Sequence, residues 1–445
     1  MLLKERLREV SKMAWPMAVG MLSYTMMGVV DTLLMGQVGT HAQAGVGLAA
    51  SLAFFFISFF MGLSSGAQTL VSAADGATNK KRLNMAASTG IFVGLLAGVT
   101  VIILLGLTYT PLLEFAVSDT KIINSASLYL GTRLIGMPLT MLGIGLLAGI
   151  QGVGDTKTRM WVSLFANGLN AVLDYLFIFG YGPIPAMAEA GAGLATAFSA
   201  LAGTLLYGIR YYQLFGKPIL PTIEVMLSSV KVGLPIGLQH MLDMTAFMLV
   251  NFVLARVGAS HLAASEIVIN IASMSFLPGY GISEAGGILV GRYLGAKEKD
   301  SAMEVLKSAR ILAVIVMAIF GIFFALRGGW LASFFTKDPE VARIAGILMI
   351  YAAVFQVLDA IVMVNLCALR AVGDTKFSMV LTLVCAWGIT VPLTLLLGLV
   401  LNWGASGTYL GLTIEIGMLA LISGWRVKGI ANGKVGRMDL ILGER

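Results

Sequence analysis

The sequence predicts an all-α integral membrane protein, with twelve transmembrane helices in two six-helix pseudosymmetric bundles related by a parallel repeat. Three observations carry that prediction. Apolar runs about twenty residues long, each enough to cross roughly 30 Å of hydrocarbon, recur along all 445 residues. Hydrophobic residues make up 58% of the chain and charged ones 12%, which would leave a soluble fold with far too much apolar surface in water. Finally, several matching segments share one offset, that of Pro235 from Pro16, which is 219 residues.

The spans are expected at 13–35, 46–71, 88–109, 128–150, 160–181, 191–213, 232–256, 265–292, 306–326, 344–369, 378–400 and 406–425. A charged amphipathic lead, Met1 to Glu9, precedes the first. It has no small-residue cleavage site, so the first span is read as retained, in an inner or plasma-type membrane. The first span carries Trp15-Pro16 and ends near Asp31, and the fifth carries Asn167, Asn170 and Asp174. Pro235 and Asp243 fall in the seventh span, Glu266 and Glu284 in the eighth, and Asp359 in the tenth. Cys367 and Cys385 lie within spans ten and eleven, where they read as packing residues. The 53 glycines suit helices that approach closely, and the 25 methionines read first as apolar filler.

The net charge of +7 is a matter of topology. With the N-terminus in the cytoplasm, 24 of the 30 basic residues fall on the cytoplasmic side, and only Lys121, Arg133, Arg256, Arg327, Lys337 and Arg343 fall outside. Both termini are therefore expected in the cytoplasm, and the surplus charge calls for no nucleic acid.

The repeat pairs Ala14-Trp-Pro16 with Gly233-Leu-Pro235, and Val38-Gly-Thr-His-Ala42 with Val257-Gly-Ala-Ser-His261. It also pairs Gly76-Ala77 with Gly295-Ala296, and Val153-Gly-Asp-Thr-Lys157 with Val372-Gly-Asp-Thr-Lys376. One offset without a net gap signals duplication. Six spans per copy, an even number, make the copies parallel, with a translocation path expected between them. The expected division is an N-terminal lobe of residues 1–219, including the start of the connecting loop, and a C-terminal lobe of residues 220–445.

Acids inside spans are costly and mark function by default. Six stand out: Asp31, Asp174, Asp243, Glu266, Glu284 and Asp359. Their repeat mates are Val250, Leu393, Tyr24, Gly47, Ser65 and Thr140, none of them acidic, so the charges were kept or gained separately from the scaffold. Asp155 and Asp374, by contrast, are repeated and read as caps of the Gly-Asp-Thr-Lys turns. Asn167, Asn170 and Asp174 share one helical face. Such a stripe of amide and carboxylate oxygens can hold a proton or a hard cation such as Na⁺, and Asp31 needs a partner of this kind or a proton, or else reads as a helix-end residue near the outer surface. Glu266 also reads as a helix-start residue, and Glu284 as a partner for a base such as Arg292. Pro16 and Pro235 read either as hinges or as prolines tolerated in a first helical turn.

On these features the chain resembles the multidrug and toxic compound extrusion (MATE) family over essentially its full length. Trp15-Pro16, Val30-Asp31-Thr32 followed by Gly36 and Val38-Gly39, both Gly-Asp-Thr-Lys turns and the duplicated layout carry the resemblance. It implies alternating-access efflux of amphipathic, often cationic organic compounds in exchange for H⁺ or Na⁺, by a monomer in the lipid bilayer needing no cofactor. It also implies an N-lobe coupling site at Asp31, Tyr129, Asn170, Asp174 and Thr196, a pairing similar to the DinF-like and archaeal branches. Asp243, eight residues beyond Pro235, and Asp359, eleven before Arg370, match C-lobe acids of the NorM-like branch. A second transport reading is flipping of a lipid-linked or amphipathic metabolite on the same scaffold. A membrane enzyme is disfavoured, since His41, His240 and His261 are scattered and no Gly-x-Ser-x-Gly element is present.

Overall fold

The computed structural model of the chain describes residues 2–431. Among these, twelve helices are long and apolar enough to cross a membrane. They are α1 (Leu2–Val38), α2 (Thr40–Gly76), α3 (Lys80–Ala116), α4 (Thr120–Gly152), α5 (Thr156–Phe179), α6 (Ala188–Phe215), α7 (Ile223–Val257), α8 (Ala259–Gly295), α9 (Lys299–Ser333), α10 (Pro339–Ala371), α11 (Thr375–Val400) and α12 (Gly404–Ala431). The chain is a multi-pass membrane protein. Met1 and three of the basic residues expected on the cytoplasmic side, Lys434, Arg437 and Arg445, lie outside the described residues.

The helices overrun the apolar runs that announce them. The third span, expected at 88–109, is a helix of 37 residues, about 55 Å at 1.5 Å per residue against roughly 30 Å of hydrocarbon. Hydropathy registers only the part in lipid. One expectation falls as a result: the charged lead is itself helical, so Pro16 and Pro235 sit well inside α1 and α7 and neither is a first-turn proline. An interior proline removes one backbone hydrogen bond and crowds the preceding turn.

The joints repeat as the sequence does. α1 passes to α2 through Gly39 alone and α7 to α8 through Gly258 alone, each at φ +157° with ψ of 163° and 151°. That region of backbone space is essentially closed to residues with a β-carbon. Asp155 caps α5, accepting from Thr158 N at 3.1 Å and from Thr158 Oγ1 at 2.8 Å, and it also takes Arg210 Nε at 2.7 Å. Its mate Asp374 starts α11 without a side-chain cap bond, and instead holds Arg426 Nε at 2.7 Å.

Two compact units result, one of residues 19–237, the other of residues up to Ala18 together with those from Leu238 onward. The two breaks, after Ala18 and after Gly237, stand 219 residues apart, which is the repeat offset itself. Each copy of the repeat thus gives the start of its first helix to the unit built by the other copy. Val10, Ala14 and Met17 lie in the core of the second unit with Ile282, Leu289 and Val305. There Arg6 bonds Tyr293, and its Nη2 donates to Ser301 Oγ at 3.0 Å.

Within lipid no hydrophobic effect draws helices together, so close approach through small residues does the work. A β-carbon on Gly90 would stand 2.4 Å from the Gly145 carbonyl oxygen, and one on Gly145 would stand 2.0 Å from that of Gly90, so α3 and α4 meet backbone to backbone.

Candidate functional site

In the unit of residues 19–237, four helices deliver polar groups to one buried place. α1 brings Asp31, α4 brings Tyr129 and Arg133, α5 brings Asn170 and Asp174, and α6 brings Thr196. All are buried, Asn170 and Asp174 completely. Gly193 sets the fit of α6 on α4, since a β-carbon there would lie 2.5 Å from the Tyr129 carbonyl oxygen and 2.1 Å from Thr132 Oγ1. That approach brings Thr196, one turn on, against the Tyr129 hydroxyl. Thr196 Oγ1 donates its proton to the Ala192 carbonyl at 2.9 Å, so toward Tyr129 it is an acceptor.

Asp31 and Asp174 face each other, close enough for their charges to interact, and Arg133 acts on both. Their hydrogen-bonding capacity is largely unspent. Both polar atoms of the Asn170 side chain and Arg133 Nη1 are buried without a hydrogen-bond partner, and Asp31 Oδ1 and both Asp174 carboxyl oxygens accept from no donor group, the two carboxyls lying within hydrogen-bonding reach of each other. Unmet donors and acceptors in such number are rare in a protein interior. Asn167, expected on the same stripe, instead donates from Nδ2 to Ser23 Oγ at 2.6 Å, tying α5 to α1 one turn before Asn170.

Charge counting sharpens this. Two acids and one arginine leave a deficit of one positive charge when both acids are ionised. Buried charge imbalance costs several kcal/mol, and one proton or one monovalent cation removes it. The free oxygens of Asp31, Asn170 and Asp174 are hard donors of the kind Na⁺ takes. Arg133 was placed with the outer basic residues by its position in the chain. It is in fact 6% exposed and balances charge inside the protein.

The other unit brings Asp243 of α7 and Asp359 of α10 near a third acid, Glu415 of α12. Glu415 bonds the Thr390 hydroxyl on α11. Sequence reasoning omitted this residue, although its signal is the same as for the other acids, a lone charge in the apolar run from Tyr409 to Ala420. Glu266 does not join them. It is exposed on α8, its carbonyl accepting from Asn270 Nδ2 at 2.8 Å. Glu284 lies beside Arg370 and 3.8 Å from Cys367 Sγ. Among the described residues no group of three or more His, Cys, Asp or Glu is placed to hold a metal ion.

Over nearly its whole length the chain is similar to known proteins. Residues 16–176 and 235–396 each match the MatE family, and the two matches begin at Pro16 and Pro235. A probable multidrug resistance protein NorM of Shewanella oneidensis is 29% identical, over 98% of this chain and 97% of its own. Its counterpart from Thermotoga maritima is 30% identical, over 92% and 89%. The crystal structure of the Vibrio cholerae MATE transporter VcmN in a bent form aligns with a TM-score of 0.88 at 19% identity, covering 99% of each chain. At that identity the likeness is one of fold.

Proposed function

The chain belongs to the MatE family, and from that premise we propose that it is a secondary antiporter exporting amphipathic, often cationic organic compounds in exchange for a monovalent cation, H⁺ or Na⁺. The proposal places it as a monomer in the inner or plasma membrane with both termini in the cytoplasm. The observation that carries the proposal is the one-charge deficit at Asp31, Asp174 and Arg133, set among buried carboxyl and amide oxygens that accept from no donor group.

In this reading the driving cation enters the group formed by Asp31, Asn170 and Asp174, with Tyr129 and Thr196 holding α4 and α6 around it. Neutralising the two carboxyls removes their mutual repulsion and lets α1 settle against α5. Release of the cation restores the repulsion, so binding and helix position are coupled through one electrostatic term. The interior prolines Pro16 and Pro235 supply the points about which α1 and α7 yield. Asp243 and Asp359 supply negative charge in the C-terminal repeat, suited to a coupling cation or to the positive centre of an exported compound. The relatives' description as multidrug resistance proteins is consistent with an apolar, methionine-bearing path that discriminates weakly.

Proteoliposomes with an imposed pH or Na⁺ gradient, assayed for movement of the fluorescent cation ethidium, test this. One gradient is expected to drive movement, and failure of both overturns the antiport reading. Asp31→Asn is expected to abolish gradient-driven transport while leaving folding intact, and a wild-type rate in that variant would refute the coupling role.

A further inference from the structure

We infer that Glu415 carries a proton in the transport cycle, as the third carboxylate of a second polar cluster built by the C-terminal repeat at the place where the N-terminal repeat holds Thr196. The inference rests on the antiport reading above and adds to it a residue and a role.

Register comes first. Subtracting 219 from 415 gives 196, so Glu415 on α12 is the repeat mate of Thr196 on α6. The companions follow the same plan. In residues 19–237 the polar groups come from α1, α4, α5 and α6. In the other unit they come from the equivalent helices, with Asp243 on α7, Asp359 on α10, Thr390 on α11 and Glu415 on α12. The same four helices are used, with different chemistry on each.

The backbone shows that the second cluster is rebuilt rather than vestigial. α11 departs from α-helical geometry over Ala386–Thr390 and again over Thr394–Val400, where it winds as a π-helix. The equivalent of the first segment on α5, residues 167–171, is regular helix and contains Asn167 and Asn170. A π-turn costs hydrogen-bond geometry and recurs where function requires a displaced side chain. The last residue of the first segment is Thr390, whose hydroxyl meets the Glu415 carboxyl. A hydroxyl donates to a carboxylate and accepts from a carboxylic acid, so one contact serves both protonation states.

A second observation points into the cluster from α7. Gln239, one turn before Asp243, is 4% exposed. Its Nε2 donates to Thr382 Oγ1 at 3.1 Å, its amide lies against the Asp243 carboxyl, and its Oε1 is buried with no partner. The groups facing Glu415 are Asp243 from α7, Asp359 from α10, and Thr390 and Cys385 from α11. Arg370 is the basic residue near Asp243, and it also serves Glu284. Three acids against one shared arginine leave at least two positive charges to be supplied. A carboxyl whose hydroxyl partner can accept as well as donate is a seat for a proton, and Glu415, 8% exposed and bonded to Thr390, is that carboxyl.

Infrared difference spectroscopy of the full-length protein in nanodiscs, titrated from acid to alkaline pH, reads this without any substrate. A protonated-carboxyl band that disappears on titration in the wild type, is absent in Glu415→Gln, and shifts in Thr390→Val supports the inference. A band unchanged in both variants overturns it. Should Glu415→Gln fail to fold, the Thr390→Val band decides alone. In proteoliposomes, Glu415→Gln is expected to displace the pH profile of ethidium transport and to lower the number of protons exchanged per ethidium, with Glu415→Asp restoring part of both. If wild type moves no ethidium under either gradient, the antiport reading fails, whereas the infrared band still decides for or against Glu415 as a proton carrier.

Discussion

At the residue scale the informative quantity is charge balance in places water does not reach. Arg133 is the base that acts on both Asp31 and Asp174, and it lowers their attraction for a further cation. Arg133→Gln is therefore expected to lower the half-saturating concentration of the driving cation about tenfold, roughly 1.4 kcal/mol, and to slow turnover because release becomes harder. Initial rates against cation concentration check this, and a raised half-saturation would contradict it. The six acids were readable from the sequence because each interrupts an apolar run. Arg133 was not readable as their partner, because an arginine near the end of a span looks the same in one dimension whether it faces headgroups or a buried acid. Glu266 read either as a functional acid or as a helix-start residue, and only helix rotation separates an exposed acid such as Glu266 from a fully buried one such as Asp174.

At the scale of single elements, identical motifs acquire different energetics. Asp155 and Asp374 stand in the same Gly-Asp-Thr-Lys turn, yet the Asp374 carboxylate is 3% exposed against 15% for Asp155. Removing Asp374 strands Arg426 in a poorly hydrated place, which costs about 3 kcal/mol or more. Removing Asp155 forfeits a cap and a more exposed pair, about 1–2 kcal/mol. Thermal unfolding in nanodiscs is expected to rank Asp374→Ala as the more damaging, and equal midpoints would count against that account. Helix packing makes a similar demand at Gly193. Gly193→Leu is expected to separate α6 from α4, destabilise the fold by about 1–3 kcal/mol or more and uncouple Thr196 from Tyr129, seen as lost gradient-driven transport at retained expression. The capping role of Asp155 was legible from Asp and Gly at fixed offsets, whereas Asp374, in the same motif, makes no side-chain cap bond. The arginines that meet them, 55 and 52 residues away, were not, because a cap is local and an ion pair between helices is not.

At the scale of the whole molecule the repeat organises everything. It sets the twelve helices, the two one-residue joints and the two places where a first helix passes from one unit to the other. Because Met17 is fully buried among Ile282, Leu289 and Val305, Met17→Ala is expected to cost about 2–5 kcal/mol and to raise amide exchange in α8 and α9 more than in α3 and α4. Equal exchange in both sets would show that the segment up to Ala18 is not part of that unit's core. The sequence by itself determined the membrane class, the number of spans, the duplication and the acids, because hydropathy, register and isolated charge are properties of a chain read in one dimension. The tertiary structure decided which acids meet, that Arg133 balances them, that α11 winds as a π-helix beside Glu415, and that each repeat lends its opening turns to the unit built by the other. These depend on helix rotation and on backbone approach between segments far apart in the chain, and neither has a periodicity for the sequence to display.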